Sequence, residues 1–358
     1  MLVASSNPLD QFLVAHPEYL LSRPVESGLI NPDNVYVLAS HVKCGAFELP
    51  FGLEGKLGRQ PVTDLLEHLE SHEVLHQAGD QWHWNSAAFP AEEVSLRSAS
   101  TENVVIVDET DSTKPRVIGE MDRLGAATML HDEAIYIHEG QQHEVVRLDW
   151  EEKKAYVRRV NVDYYTDADL AVRLSVLEVD EEEAANGARR AYGDVALTTL
   201  STIYKKIKLH THENVGWGKI RLPEDNLHTK AYWLTLPPAA TAQLSPTEIQ
   251  EGLLGLRHVL ANVAPLYLMC DPRDLGVQAE IRAPFTEAPT VFVYDNVPGG
   301  IGFAERLFAL HGELLAAGDE LIRGCQCESG CPSCVGVPTE PRLNGKALTL
   351  GFLRGLRA

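Results

Sequence analysis

Residues 71–84 read SHEVLHQAGDQWHW, and the fold turns on how they are read. Within them, His72, Glu73 and His76 match the H-E-x-x-H pattern. On one helical turn the two imidazoles would share a face and grip zinc, with the glutamate as general base. The neighbouring sequence predicts otherwise. Upstream, PVTDLLEHLE puts Pro61 and Thr63 at a helix start and lays Leu65, Leu66 and Leu69 along an apolar face. Downstream, VLHQAGDQWHW alternates on both sides of Ala78, Gly79 and Asp80, which predicts two short strands and a turn. The helix should end between Ser71 and Glu73, and Val74 and Leu75 should open the first strand of a wing. His72 and His76 would then point in unrelated directions, with no third ligand to join them. A five-residue pattern with two free positions also arises by chance in a chain with 14 histidines. The metalloprotease reading is therefore disfavoured.

Working outward, VYVLASHVKCGAFELPF (35–51) has apolar residues at helical spacing. Helix, helix, hairpin is the order of a winged helix, placed at 35–95. Residues 1–34 are punctuated by Pro8, Pro17, Pro24 and Pro32 and read as short connector helices. From 96 to 239 come short alternating runs such as NVVIVDE, AIYIHEG, KAYVRRVNVDYY and DVALTTLSTIYKKIKLH, separated by turn residues. They predict an antiparallel, barrel-like β module. Within it, Asp132, Glu133, Ala134 and Ile135 imitate the start of a DEAD box. No G-x-x-x-x-G-K-[ST] loop accompanies them, so a strand edge is the better reading. The acidic run at 178–183, EVDEEE, reads as a solvated loop.

Residues 240–358 change character and predict an α/β domain. Ser245, Pro246 and Glu248 form a capping box with proline at the first helical position, ahead of a largely apolar helix. A buried strand, TVFVYDN, leads through VPGGIG into the amphipathic helix FAERLFALHGELLAAG. A last helix follows the cysteines. The fold class is thus α+β multidomain: winged helix, antiparallel β-barrel-like module, α/β metal-binding domain.

At 358 residues the chain has room for two or three cores, and 44% hydrophobic with 23% charged residues is ordinary for a globular protein. No apolar run is long enough to span a bilayer and no signal peptide is visible, so the cytosol is expected and no membrane. A net charge of -20 argues against coating nucleic acid by bulk electrostatics but leaves room for a local basic groove.

The strongest chemical signal is CQCESGCPSC, with Cys325, Cys327, Cys331 and Cys334 spaced C-x-C-x3-C-x2-C. Such clustering in a cytosolic chain points to metal, and four thiolates favour a closed, structural zinc site. Arg323 and Arg342 are candidate neutralisers of the thiolate charge. Cys270 is a possible substitute ligand for Cys325 or Cys327, although a lone cysteine is more often simply buried. In YDNVPGGIGFAE, Gly299, Gly300 and Gly302 form a turn at a helix start that either contacts phosphate or makes a tight strand-to-helix connection. Tyr204, Lys205, Lys206 and Lys208 in one strand, and Arg158 and Arg159 in another, could stack bases and hold phosphates, with Arg273 as a further contact. No nucleophile elbow or catalytic triad order is present, so no catalytic residue is assigned.

Taken together, NPLDQFLVAHPEYLLSRPVESGLINPDNVYVLASHVKCGAFELPF, IYKKIKLHTHENVGWGKIRLPEDNLHTKAYWLTLP, MCDPRDLG, VYDNVPGGIGFAERLF and CQCESGCPSCVG resemble the C-terminal region of the mitomycin-repair-factor-A (YprA-like) superfamily 2 DNA helicases. The last three fall in that family's zinc-binding domain, also called domain of unknown function 1998. The resemblance implies a non-motor region that guides single-stranded DNA behind a 3′-to-5′ repair motor. It also implies zinc on Cys325, Cys327, Cys331 and Cys334. No Walker A, DEAD/DEAH or arginine-finger motif is found in this chain. ATP and Mg2+ would enter only through RecA-like motor domains, in cis or in trans. The competing expectation is an acidic scaffold that docks a separate motor.

Overall fold

The computed structural model describes residues 3–22, 31, 34–57, 60–94 and 103–357. Pro24 and Pro32 of the expected connector lie outside them. The chain divides into two compact units: Val35–Leu174 with Leu197–Leu227, and Met1–Asn34 with Ser175–Ala196 and His228–Ala358. Two short helices, α1 (Pro8–Ala15) and α2 (Pro17–Ser22), open the second of these. The Asn7 side chain caps α1, and the Tyr19 hydroxyl donates to the Leu266 carbonyl (2.9 Å).

The first unit begins with the winged helix: α3 (Val35–Glu48), β1 (Phe51–Gly52), β2 (Lys56–Leu57), β3 (Gln60–Pro61), α4 (Thr63–Ser71), β4 (Leu75–Ala78) and β5 (Gln81–Trp84). Leu38, Val42, Leu66, Leu69, Leu75 and Trp82 make its core. The wing pairs Leu75 with Trp84 and Ala78 with Gln81 across a turn in which Gly79 takes φ +63°. Helix α4 stops at Ser71, Glu73 adopts φ +60°, and His76 faces His83 across the wing. His72 leaves the helix as its C-terminal cap, with Nδ1 beside the His68 carbonyl (2.9 Å).

The β module follows: β6 (Asn103–Asp108), β7 (Arg116–Asp122), α5 (Arg123–Met129), β8 (Ile135–His138), β9 (Gln141–Asp149) and β10 (Lys154–Arg159). The strand order is β7-β6-β10-β9-β8. One pairing departs from the expected antiparallel module: β10 runs parallel to β6, with Ala155 opposite Ile106. The chain can make that pairing because β7, α5, β8 and β9 supply the crossover between the two strands. Alternating Val104, Ile106, Val145, Ala155 and Val157 close the core against Ala126 and Leu130. The DEAD-box mimic sits at a strand edge as expected: the Asp132 carboxylate accepts the Leu148 N–H and Ile135 opens β8.

Two long strands, β11 (Tyr164–Ala185) and β12 (Ala188–Lys208), contribute residues to both units. The acidic run 178–183, expected as a loop, lies in β11. Its side chains are mostly exposed and salted by partners in the same unit: Glu182 by Arg189, Glu183 by Arg190, Asp180 by Lys230. An edge strand, β13 (Asn214–Lys219), pairs only with β12 among the described strands.

The second unit is built on β14 (Asp225–Thr235), β15 (Leu275–Glu280) and β16 (Thr290–Asp295), with α6 (Pro238–Thr241), α7 (Pro246–Leu268), α8 (Phe303–Ala309), α9 (His311–Gly324) and α10 (Gly345–Arg357). β16 is central, pairing antiparallel with both β14 and β15, and is buried along its whole length. The capping box expected at Ser245 and Glu248 is present. α10 crosses α7 closely because Gly252 and Gly255 face it. A Cβ at Gly255 would stand 2.0 Å from Thr349 Oγ1, and one at Gly252 would stand 2.4 Å from the Phe352 ring. The single helix expected after the Gly-rich turn is two, broken at Leu310 (ψ 8°). At the break Arg190 Nη1 donates to the Phe308 carbonyl (3.2 Å), satisfying an acceptor at the end of α8. Among the described residues no helix is long and apolar enough to cross a membrane.

Candidate metal centre and nucleic-acid face

The four clustered cysteines converge. Cys325 caps the C-terminus of α9, where extended backbone (ψ 133°) turns the chain toward Cys327. Gly330 (φ +135°) and Gly336 (φ +87°) bracket the second pair. The Cys334 and Gly336 N–H groups both donate to the Cys331 carbonyl (3.0 Å each), which closes a tight turn. All four Sγ atoms lie within 4.8 Å of one another, with Cys325–Cys331 at 3.5 Å, Cys327–Cys334 at 3.4 Å and Cys331–Cys334 at 3.7 Å. A thiolate tetrahedron with Zn–S near about 2.3 Å has edges of about 3.8 Å. The spacing fits zinc and is too long for disulfides. Among the described residues this is the one group of three or more potential metal ligands. With four protein donors no position is left for substrate, so the chemistry on offer is structural.

Charge at the cluster is handled by a residue the sequence did not disclose. Lys346, in the first turn of α10, donates its ammonium to the carbonyls of Cys325 (2.5 Å) and Cys327 (3.0 Å). The expected neutralisers are engaged elsewhere: Arg323 pairs with Asp319 (2.7 Å), and Arg342, 91% exposed, lies 3.8 Å from Glu340. Burial works to raise the Cys325 thiol, but hydrogen bonds from the Cys327 N–H and the other thiols hold it at about 7. Burial pushes Cys334 up. Zinc bound there would hold the four sulfurs as thiolates. Cys270 is not part of the cluster. It follows the end of α7, half-buried against the core, with its thiol pushed up to about 12 by burial and then by Asp274 and Asp295.

The Gly-rich turn is closed on itself. Gly299, Gly300 and Gly302 all take positive φ (73°, 70° and 93°), which explains the glycines. The fully buried Asp295 carboxylate, at the end of β16, accepts the Ile301 N–H on Oδ2 (2.7 Å); the N–H groups of Gly302, Phe303 and Ala304 lie near enough to favour its charged form, yet Oδ1 has no hydrogen-bond partner. The turn makes a strand-to-helix connection folded round this buried carboxylate. Burial raises the Asp295 carboxyl to about 6 against the opposing pull of those N–H groups. Arg273 is exposed but forks onto Asp271 of its own loop (2.8 and 3.1 Å), holding that carboxyl at about 2.

The basic β residues divide. Tyr204 is 2% exposed, stacks on His131 (centroids 4.6 Å apart) and donates its hydroxyl to Glu133. It is a core residue and offers no face to a base. The expected two-residue alternation fails because β12 buries Ser201 and Tyr204, three apart. Lys206 lies over the Tyr164 ring (5.4 Å), and Lys205 pairs with Asp169 (2.9 Å). Arg158 and Arg159 end β10 exposed. Arg159 and Leu209, the neighbour of Lys208, line one cavity of about 520 Å³. Lys206, Lys208, Arg158 and Arg159 therefore stay available. One residue escaped the sequence reading: Trp217, 66% exposed on β13 directly opposite Lys205. The Gly-Trp-Gly run was its visible signal.

Comparison with known proteins agrees with this geometry. Residues 256–335 match the MrfA Zn-binding domain family, and residues 30–99 match the winged helix domain of the ATP-dependent helicase HRQ1. The ATP-dependent helicase YprA of Bacillus subtilis is 50% identical over 340 residues, covering 95% of this chain and 45% of YprA. HRQ1 of Saccharomyces cerevisiae is 26% identical over 94% of this chain and 33% of its own length. The chain thus spans less than half of these relatives. A crystal structure of the DUF1998 helicase MrfA bound to DNA superimposes with TM-score 0.60 at 49% identity, over 99% of this chain and 47% of that one. Another MrfA structure gives 0.69 at 43% identity, over 97% and 48%.

Proposed function

This chain belongs to the MrfA- and YprA-like helicases, matching their C-terminal region, and from that premise we propose that it guides single-stranded DNA for an ATP-dependent 3′-to-5′ repair motor while a structural zinc holds its last domain. The observation that carries the reading is the 49% identity, over 99% of this chain, to a helicase crystallised with DNA. Lys206, Lys208, Arg158 and Arg159 would meet the phosphates, and RecA-like domains would supply ATP and Mg2+ chemistry. This basic group resolves the conflict with the net charge of -20, since local cations can grip a strand that bulk charge repels.

The test is fluorescence anisotropy of a labelled single strand titrated with the chain at low and moderate salt. Saturable binding that weakens with salt is expected, and Lys206→Glu with Lys208→Glu should lower affinity and flatten the salt dependence. Absence of binding at low salt would remove the DNA-guiding role and leave the acidic docking scaffold, which the net charge favours. Recovery of a RecA-type partner insensitive to nuclease would then be its signature.

A further inference from the structure

Strand β13 has two unlike faces. A Cβ at Gly218 would stand 2.4 Å from the Tyr204 ring, so glycine lets the strand lie flat on that buried tyrosine. Gly216, opposite Lys206, lies on the same side. The other side carries Trp217, opposite Lys205, and Lys219, opposite Ile203. With the Tyr204 side closed, the indole projects outward, 66% exposed, and stacks on no other ring among the described residues. Of the five tryptophans of the chain, Trp217 alone is exposed.

Charge indicates what such a ring would receive. Residues 203–221 carry five cations (Lys205, Lys206, Lys208, Lys219 and Arg221) against one acid, Glu213, in a chain whose net charge is -20. An apolar ring set among cations on an exposed edge strand fits a partner that pairs flat π-faces with negative charge at close repeat, which is a single-stranded nucleic acid. An acidic protein surface would match the cations but has no use for the indole.

We propose that Trp217 is a base-stacking platform, with Lys205 and Lys219 beside it taking the flanking phosphates. The Lys205–Asp169 pair (2.9 Å, both partners exposed to solvent) opens at little cost to let Lys205 turn to a phosphate. The inference rests on the DNA-guiding reading and narrows it from a basic face to one ring.

The test titrates the full chain, Trp217→Ala, Trp217→Phe and Lys219→Glu against labelled oligo-dT and an abasic strand of equal length. Trp217→Ala should raise the Kd for oligo-dT roughly tenfold and leave the abasic strand nearly unchanged, with Trp217→Phe in between. Lys219→Glu should weaken both strands alike. Quenching of tryptophan emission by oligo-dT should disappear in Trp217→Phe. Binding of oligo-dT that is indifferent to Trp217→Ala overturns the inference and leaves the DNA-guiding reading standing. So does a dimer of the unaltered chain that Trp217→Ala dissociates, because Trp217 would then serve a second copy. Failure of the unaltered chain to bind any strand overturns both.

Discussion

Two loops of the second unit look alike in the sequence: each is short, rich in glycine and set with groups that could take a ligand. The cysteine loop gathers four sulfurs that have no cation among themselves. The glycine loop turns round the buried Asp295 carboxylate, which accepts the Ile301 N–H. One loop offers its sulfurs to a charge from outside, and the other is wrapped round a charge of its own.

The largest expected effect lies in the cysteine loop. Cys331→Ser or a strong chelator should abolish stoichiometric zinc and destabilise the last domain by several kcal/mol, since zinc binding and local folding are one equilibrium. Hydrogen exchange should then rise after about residue 245 while the winged helix, which has its own core, stays protected. Cys270→Ser should leave zinc content unchanged. A one-ion loss in Cys270→Ser would erase the contrast.

Next comes Asp295. Its folded carboxyl, raised to about 6, binds a proton more tightly than the unfolded chain does near 3.8. Its contribution to stability is therefore fully present below about pH 4 and is lost as pH rises through about 6, by on the order of 3 kcal/mol. Asp295→Asn should flatten that window, so the variant's melting temperature gains on the wild type between pH 4 and 6. Parallel pH profiles would show that the carboxylate is not the occupant of the glycine loop. The smallest effect is Arg273→Ala, which should let the Asp271 carboxyl rise from about 2 toward its ordinary value, seen by NMR, with stability almost unchanged because the pair is exposed.

What the sequence discloses is local. The wing follows from alternation around Gly79, and the metal ligands follow from spacing, because both are settled within about ten residues. What it hides is tertiary. Lys346 reaches Cys325 from another helix, and Asp295 becomes an anion site only once α8 is laid over it. Tyr204 reads as an exposed strand aromatic until the break in alternation turns it inward against His131. The 178–183 run is acidic enough to be a loop, yet Arg189, Arg190 and Lys230 supply the charge that lets it pair as a strand.

The grip of Lys346 on two cysteine carbonyls has a chemical corollary. Its ammonium is engaged only while the backbone on either side of Gln326 keeps its shape. A lysine so engaged resists acylating reagents and trypsin alike, and its reactivity rises when the loop relaxes. The modification state of this one side chain is thus a built-in record of whether the cysteine loop keeps its fold.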